Sequence, residues 1–133
     1  MSVEQIINHI RAKANFSEIP IEDFAPDGTW ASIVAEDLGK GMKTAQLRKV
    51  FHELKRIETQ QRGIDDNIAF KDSKIYLLIP QLAYARARDL ITRNFYDLIR
   101  VIIGDKSTTK LKTVGDYHRF IDFMTAIVAY QKK

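Results

Sequence analysis

Hydrophobic residues recur at helical spacing along most of the chain, and no stretch alternates strictly as a half-buried strand would. The first such stretch predicts a helix over 3–14, opened by a capping box of Ser2 with Gln5. Its apolar face consists of Val3, Ile6, Ile7, Ile10 and Ala14. Residues 15–29 contain two prolines and an Asp27-Gly28 turn, which predicts an ordered connector. The connector residues expected to pack on the core are Phe16, Ile19, Ile21 and Phe24.

Two further helices are predicted in the next part of the chain. Thr29 is expected to cap a helix that Gly39 and Gly41 end. The apolar face of that helix consists of Trp30, Ile33, Val34 and Leu38. Thr44 is expected to cap a third helix, which runs until Arg62-Gly63 and is followed by a polar loop over 64–72. The apolar face of the third helix consists of Leu47, Val50, Phe51, Leu54 and Ile57.

The region 73–103 is helical in pattern, but Pro80 predicts a break or kink within it. Proline lacks an amide donor and clashes with the carbonyl four residues earlier. A second candidate break lies at Arg88-Asp89, and Ile75 to Ile79 is open to an alternative interpretation as a short buried strand. Gly104 to Thr113 is a polar loop. The last helix starts near Val114 and reaches the C-terminal region, with a core face of Phe120, Phe123, Met124, Ile127 and Val128.

These elements predict an all-α fold, a single compact or elongated bundle of about five to six helices in one domain over 1–133. The chain has no cysteine among its 133 residues, which excludes disulfides, thiol catalysis and cysteine-ligated metal sites. No apolar run approaches the ~20 residues that span a bilayer, and the N-terminus is unlike a secretory signal. We therefore expect a cytoplasmic protein without membrane contact.

Convergent catalytic groups are not evident in the sequence. His9, His52 and His118 stand singly, without the i, i+4 spacing of a helical zinc site. The run 39–44 is only superficially similar to a phosphate-binding loop, because Met42 precedes the lysine where a glycine is needed. The acidic residues of the 64–72 region are interpreted as solvated loop residues rather than cation ligands. We predict that the protein is not an enzyme and uses no metal or cofactor.

The formal charge of +4 is unevenly distributed along the chain. Residues 1–42 hold 3 basic and 7 acidic side chains, residues 43–62 hold 6 and 2, and residues 63–133 hold 12 and 8. A local positive field of this kind favours a polyanionic partner.

The third helix carries the main candidate site, a row of cations opposite its apolar face. Arg48, His52 and Lys55 form this row, with Lys49 and Arg56 on its flanks, centred about 160° from the apolar face at ~100° per residue. Glu53 is the nearest acid and can reach Lys49 or Arg56, which leaves Arg48 and Lys55 unpaired. We interpret this face as a track for phosphates, the alternative being a solvated charged face.

A second candidate stripe consists of Arg86, Arg93 and Arg100, which recur every seven residues. Acidic residues four positions on either side of Arg93 favour local ion pairs over nucleic-acid contacts there. Arg88 projects toward the apolar side of a continuous helix, so either the helix breaks near it or its guanidinium is paired. Base stacking is not predicted, because the following aromatic residues lie mostly on core faces: Phe16, Phe24, Trp30, Phe51, Phe95, Phe120 and Phe123.

Three runs occur here in the order and spacing of a known family. They are Leu47-Arg48-Lys49-Val50-Phe51 continuing to Lys55-Arg56-Ile57-Glu58, Leu77-Leu78-Ile79-Pro80-Gln81-Leu82-Ala83-Tyr84-Ala85, and Phe120-Ile121-Asp122-Phe123-Met124-Thr125-Ala126-Ile127-Val128-Ala129-Tyr130. Together they resemble the small subunit of type III-A CRISPR effector complexes, the Csm type. The resemblance covers about 30–133, the family-like helical core, whereas 1–29 is similar to the variable N-terminal helix and connector of that family.

The resemblance implies a small, all-helical, non-catalytic subunit of an antiviral ribonucleoprotein, present in more than one copy. Its implied partners are guide RNA and target RNA, the backbone and large subunits of the complex, and other copies of itself. In such complexes the small subunits line the groove in which target RNA pairs with guide RNA. RNA cleavage is assigned to the backbone subunits, and the remaining catalytic activities to the large subunit.

The resemblance and the helical wheel converge on the same basic residues as RNA contacts. The resulting candidate RNA-binding residues are Arg48, Lys49, His52, Lys55, Arg56, Arg86 and Arg88. This chain departs from the family pattern at Gln81, where a lysine is expected, and at Arg86-Ala87-Arg88, where a small residue or glycine is expected before the arginine. Two alternatives from other classes remain, a helical DNA-binding regulator that inserts the third helix in a major groove and a purely structural adaptor.

Overall fold

The computed structural model describes residues 1–131, which form seven α-helices, two short 3-10 helices and one isolated bridge between Ala69 and Thr113. The α-helices are α1 (Val3–Arg11), α2 (Ile21–Phe24), α3 (Trp30–Leu38), α4 (Thr44–Thr59), α5 (Leu78–Ala87), α6 (Arg93–Ile103) and α7 (Val114–Gln131). The 3-10 helices span Phe16–Glu18 and Ser73–Leu77. The all-α prediction is confirmed, with slightly more helices than expected because α2 is one short turn inside the predicted connector.

The helix α7 is the element on which much of the fold assembles. The helices α2, α3 and α4 and the first 3-10 helix pack against it, while α1 packs on α6 and α5 packs on α6. The ring of Phe16 lies 5.9 Å from that of Phe120 and 5.8 Å from that of Phe123, measured between centroids. One hydrophobic cluster joins side chains from all seven helices. Its burial is the main source of stability for a fold of this size.

The N-terminal region follows the prediction closely, with two differences. The amide of Ser2 donates to Gln5 Oε1 at 2.8 Å, and the amide of Gln5 donates to Ser2 Oγ at 3.2 Å, which forms the predicted capping box. The helix α1 ends at Arg11, so Ala14 lies outside its apolar face and is exposed. In the connector, Ile21 is 45% exposed, because the single turn of α2 directs Phe24 rather than Ile21 into the core.

The connector is tied to the start of α7 by one buried carboxylate. Asp116 Oδ1 accepts from Ser17 N at 2.8 Å and from Asn15 Nδ2 at 2.9 Å, and its Oδ2 accepts from the amides of Lys112 and Thr113 at 3.0 and 2.9 Å. Burial alone raises the pKa of Asp116, but these hydrogen bonds outweigh it and hold the pKa below its usual value. The carboxylate is therefore ionised at neutral pH and fixes the connector on α7.

Two cations complete this attachment by donating to backbone carbonyls. Lys110 Nζ donates to Arg11 O at 3.0 Å and to Lys13 O at 2.6 Å, and Arg119 Nη1 donates to the carbonyls of Ser17 and Ile19. We call Asp116, Arg119 and Lys110 the connector anchor. Their charged groups are occupied by backbone and are not available to a ligand.

The predicted starts of α3 and α4 lie within one residue of the observed ones, but their capping differs. Thr29 is the N-cap of α3, yet its hydroxyl donates to Pro26 O at 2.5 Å instead of accepting from a helix amide. Lys43, and not Thr44, is the N-cap of α4, so the predicted threonine cap is wrong and Thr44 is the first helical residue. The helix ends at Thr59 and the chain turns before Gly63, whose φ of 80° suits glycine.

Of the two breaks predicted in 73–103, the one at Arg88-Asp89 is present, whereas the chain stays helical through Pro80 and only changes its type of helix before it. The chain is 3-10 helical over Ser73–Leu77 and becomes α-helical at Leu78, so Pro80 lies in the first turn of α5, where its missing amide has no helical acceptor. The second break separates α5 from α6 and contains Asp89, which has a φ of 59°. The alternative of a strand at Ile75 to Ile79 is therefore wrong.

Candidate nucleic-acid interface

The basic face of α4 is directed outward by the way the helix packs on α7. Its core residues Leu47, Val50, Leu54 and Ile57 are buried, as predicted, while Phe51 is only partly buried. The hydroxyl of Tyr117 on α7 donates to Leu54 O at 2.6 Å, which fixes the rotation of α4. Burial, with smaller contributions from Glu58 and Asp72, raises the pKa of Tyr117 well above its usual value, so it stays a donor at neutral pH.

All five predicted basic residues of α4 are exposed to solvent, and we call them the basic face: Arg48, Lys49, His52, Lys55 and Arg56. Its first part lacks acidic partners. Within residues 1–131, the side chains of Arg48, Lys49 and His52 make no ion pair or hydrogen bond, and the His52 ring lies 6.4 Å from the neighbouring Phe51 ring, measured between centroids. These three side chains are therefore available to an anionic ligand.

The second part of the basic face is neutralised along its own helix. Lys55 Nζ lies 2.6 Å from Glu58 Oε1, and Arg56 Nη1 lies 3.4 Å from Glu53 Oε1. The prediction that Lys55 is unpaired is wrong, because Glu58 follows it by three residues on the same side of the helix. Both pairs are partly exposed, with the Arg56 side chain 74% accessible, so each contributes little to stability. A phosphate would have to compete with these carboxylates.

A cleft of about 320 Å³ joins α4 to the second 3-10 helix and the start of α5. Its lining brings Arg56 together with Lys74 and Gln81, which are far from it in sequence. Lys74 is not among the residues predicted from the sequence, because only its tertiary position beside α4 distinguishes it from other surface lysines. The cleft extends the basic face toward α5.

At the other end of α5, Arg86 and Arg88 lie on aromatic rings. The guanidinium carbon of Arg86 lies 5.6 Å from the centroid of the Tyr96 ring, and that of Arg88 lies 5.5 Å from the centroid of the Tyr84 ring. Arg88 Nη1 also donates to Tyr84 Oη at 2.8 Å. Of the two alternatives left open for Arg88, the structure has the helix break, since α5 ends at Ala87 and Arg88 is exposed.

The predicted seven-residue arginine stripe is not continuous, because Arg86 belongs to α5 whereas Arg93 and Arg100 belong to α6. The fold nevertheless brings two of its members together, since Arg86 and Arg93 line one cleft of about 580 Å³. The predicted local pairing is confirmed for Asp97, whose Oδ2 lies 3.6 Å from Arg93 Nε. Asp89 lies in the break between the helices and makes no ion pair among the described residues.

The described residues contain no group of three or more histidines and carboxylates placed to hold a metal ion. His118 is instead paired with an acid, its Nδ1 lying 2.9 Å from Asp66 Oδ1. Among residues 1–131, no helix is both long and apolar enough to cross a membrane. The arrangement is suited to holding an anion by charge.

The fold and this surface define a small all-helical protein that presents exposed cations on one helix and at the end of another. The family model described as Csm2 Type III-A matches residues 28–133, well over half of the chain. The chain belongs to this family and is a small subunit of a type III-A CRISPR complex, as the resemblance in the sequence predicted. No curated protein and no solved structure matches the chain.

Proposed function

We propose that this chain holds the guide RNA–target RNA duplex in the groove of its complex by sequence-independent contacts to phosphates. The observation that carries the proposal is the exposed, unpaired state of Arg48 and Lys49 on a helix fixed by its core packing. Long cations on a rigid helix bind a nucleic-acid backbone without reading bases, and a guided duplex needs only such contacts.

The other candidate residues take secondary roles in this proposal. Lys55 and Arg56 contact phosphate when they exchange their helical carboxylates for it, and His52 adds a hydrogen-bond donor between the two parts of the face. Arg86 and Arg88 contact RNA at the end of α5. The chain contributes no catalytic group, and it acts in antiviral defence in the cytoplasm.

The proposal also covers the organisation of the chain and its partners. Residues 1–133 form one domain that binds guide RNA and target RNA, the backbone and large subunits of the complex, and other copies of itself. Family membership supports an assembly of this kind. The one hydrophobic cluster shared by all seven helices supports a single folding unit.

The proposal is tested with the double variant Arg48→Ala/Lys49→Ala and an RNA duplex of mixed sequence. Binding of the full-length chain is measured by fluorescence anisotropy over a range of salt concentrations. Because each lost phosphate contact removes about one unit of salt dependence, we expect weaker binding with a slope reduced by up to ~2 units, equally for unrelated sequences.

The matched control is Lys40→Ala/Lys106→Ala, which removes the same charge from exposed lysines on other segments. We expect it to leave the slope nearly unchanged. Equal losses in both double variants would mean that only net charge matters. A preference for one DNA sequence would favour the regulator, and the absence of any RNA binding would favour the structural adaptor.

A further inference from the structure

Tyr84 is the only exposed aromatic residue among residues 1–131. It is 64% accessible, although it lies in the middle of α5, whereas every phenylalanine, Trp30 and the other tyrosines are buried or half-buried. An aromatic ring of this size left in water forgoes a large burial free energy. Tyr84 does not belong to the core, so its place on the surface suggests that it binds a ligand.

The ring of Tyr84 is held in place by Arg88. The helix ends one residue before Arg88, whose amide bonds the Tyr84 carbonyl at 3.3 Å while its guanidinium donates to the Tyr84 hydroxyl at 2.8 Å. The guanidinium carbon lies 5.5 Å from the ring centroid, at the hydroxyl end of the ring. A cation therefore holds the ring by its hydroxyl, and the high exposure of the side chain leaves the ring accessible to a ligand.

The charges around this ring favour a nucleic acid over an apolar protein surface. Arg88 lies beside the ring at the end of α5, whereas Arg86 is directed onto Tyr96 of α6. The cleft at the other end of α5 contains two cations, Arg56 and Lys74, and one acid, Glu53. Asp89 is the nearest acid along the chain and makes no ion pair in the described part of the protein. A flat ring beside cations is the combination that stacks on a nucleobase while the cations hold the adjoining phosphates.

We propose that Tyr84 is a stacking platform for an unpaired base of the bound RNA, with Arg88 fixing the ring and reaching the adjoining phosphate. This inference rests on the proposed RNA-binding function and deepens it. Paired bases inside a duplex present no free face, so the ligand is a bulged, flipped or single-stranded nucleotide. Stacking accepts any base, which agrees with a subunit that does not read sequence.

The test uses two RNA duplexes that differ only by a one-nucleotide bulge containing 2-aminopurine, whose fluorescence is quenched by stacking. For the full-length chain we expect quenching and about tenfold tighter binding to the bulged duplex, which corresponds to about 1.4 kcal/mol and agrees with the stacking of one base. Tyr84→Leu should abolish the quenching and the preference. Tyr84→Trp and Tyr84→Phe should keep both, because each retains a ring.

Leu77→Ala is the matched control, since Leu77 lies on the same exposed side of this region and is 60% accessible but cannot stack. It should leave the quenching and the preference for the bulge intact. Equal effects of Leu77→Ala and Tyr84→Leu would overturn the proposal, as would a Tyr84→Leu variant that still quenches. A change of sedimentation coefficient in Tyr84→Leu without RNA, with the bulge preference intact, would assign this face to a protein contact and also overturn it.

Failure of this inference is distinguishable from failure of the proposed function. If the chain binds the plain duplex and Arg48→Ala/Lys49→Ala weakens that binding, the basic face of α4 stands even when no preference for the bulge is found. If neither duplex binds at any salt concentration, both proposals fall together.

Discussion

The connector anchor and the basic face of α4 are built from the same residue types and put them to opposite uses. In the anchor, the Asp116 carboxylate is fully buried and accepts four N–H groups, and Lys110 and Arg119 donate to backbone carbonyls. On the basic face, Arg48 and Lys49 are exposed and unpaired within residues 1–131. A charge satisfied by backbone stabilises the fold, whereas an exposed unpaired charge is free for a polyanion.

The difference shows why the number of cations in a helix is a poor measure of its ability to bind RNA. Lys55 and Arg56 are exposed, like Arg48 and Lys49. They nevertheless form ion pairs with Glu58 and Glu53. The two regions should therefore respond differently to substitution. Changes in the anchor should alter stability without altering RNA affinity, and changes on the basic face should do the reverse.

The largest expected effect comes from Asp116→Asn. The Asn side chain keeps one acceptor oxygen and replaces the other by an NH2 donor, so the charge is lost and two of the four N–H groups lose their acceptor in a buried site. We expect the free energy of unfolding to fall by about 2–4 kcal/mol. The folded fraction should still bind an RNA duplex with unchanged affinity. Urea unfolding followed by circular dichroism measures the free energy of unfolding. Fluorescence anisotropy at urea concentrations below the unfolding transition measures the RNA affinity. Asp23→Asn, at an exposed carboxylate, is the control and should change stability by less than about 0.5 kcal/mol.

The lowered pKa of Asp116 also gives this prediction a pH dependence. The group is more acidic in the folded chain than its unfolded value of about 3.9, so its stabilisation is fully present above that pH. It is lost as the pH falls through the folded pKa. Asp116→Asn should therefore lose less stability than the wild type between neutral pH and pH values below about 3.9. Parallel curves for the two proteins would show that Asp116 does not have the role assigned to it.

An intermediate effect is expected from Glu53→Gln/Glu58→Gln, which frees Lys55 and Arg56. If these two carboxylates compete with phosphate in the wild type, their removal should raise RNA affinity on the order of tenfold at low salt. The dependence of log affinity on log salt concentration should become steeper by up to ~2 units. Stability should change by less than about 1 kcal/mol, because exposed ion pairs contribute little. Salt-dependent anisotropy checks this, with Glu22→Gln/Glu36→Gln, at two exposed carboxylates, as a control for charge alone. An unchanged slope would mean that the paired cations never reach the RNA.

The smallest effect is expected from Tyr117→Phe. Tyr117 joins α7, which carries part of the connector anchor, to α4, which carries the basic face. Loss of its hydrogen bond to Leu54 O should lower the free energy of unfolding by about 1 kcal/mol. Since burial raises the pKa of Tyr117 above its unfolded value of about 10, its stabilisation is complete below that pH and is lost as the pH rises. Urea unfolding at neutral pH and above pH ~10 should show a smaller alkaline loss in the variant. Tyr76→Phe serves as the control tyrosine.

Much of the fold was predictable because helical periodicity is a local property. The core faces of α1, α3, α4 and α7 follow from the spacing of their apolar residues, and the Ser2 capping box follows from a four-residue pattern. The starting residues of α4 and α5 were harder to predict. Local signals place a helix end only to within one or two residues, and Lys43 replaces Thr44 as the cap. Pro80 lies inside the first turn of α5, where its missing amide has no helical acceptor.

The candidate site was only partly predictable, for a different reason. The exposure of the basic face follows from the phase of its own core residues, and so does the pairing of Lys55 with Glu58, although the sequence analysis overlooked that acid. In contrast, the placement of Lys74 beside Arg56, and of Arg93 beside Arg86, joins residues on different elements. The exposure of Tyr84 depends on what packs against the opposite side of α5.

The sequence by itself determined the helical class of the fold, the membership in its family and the outward cations of α4, since all three are carried by residue order and short-range spacing. Only the tertiary structure decided which charges remain free. Asp116, Arg119 and Lys110 are ordinary surface residue types that became occupied because the connector brings backbone N–H and C=O groups to them. Buried backbone N–H and C=O groups must be hydrogen-bonded. Which side chains supply these hydrogen bonds depends on how segments distant in sequence pack together.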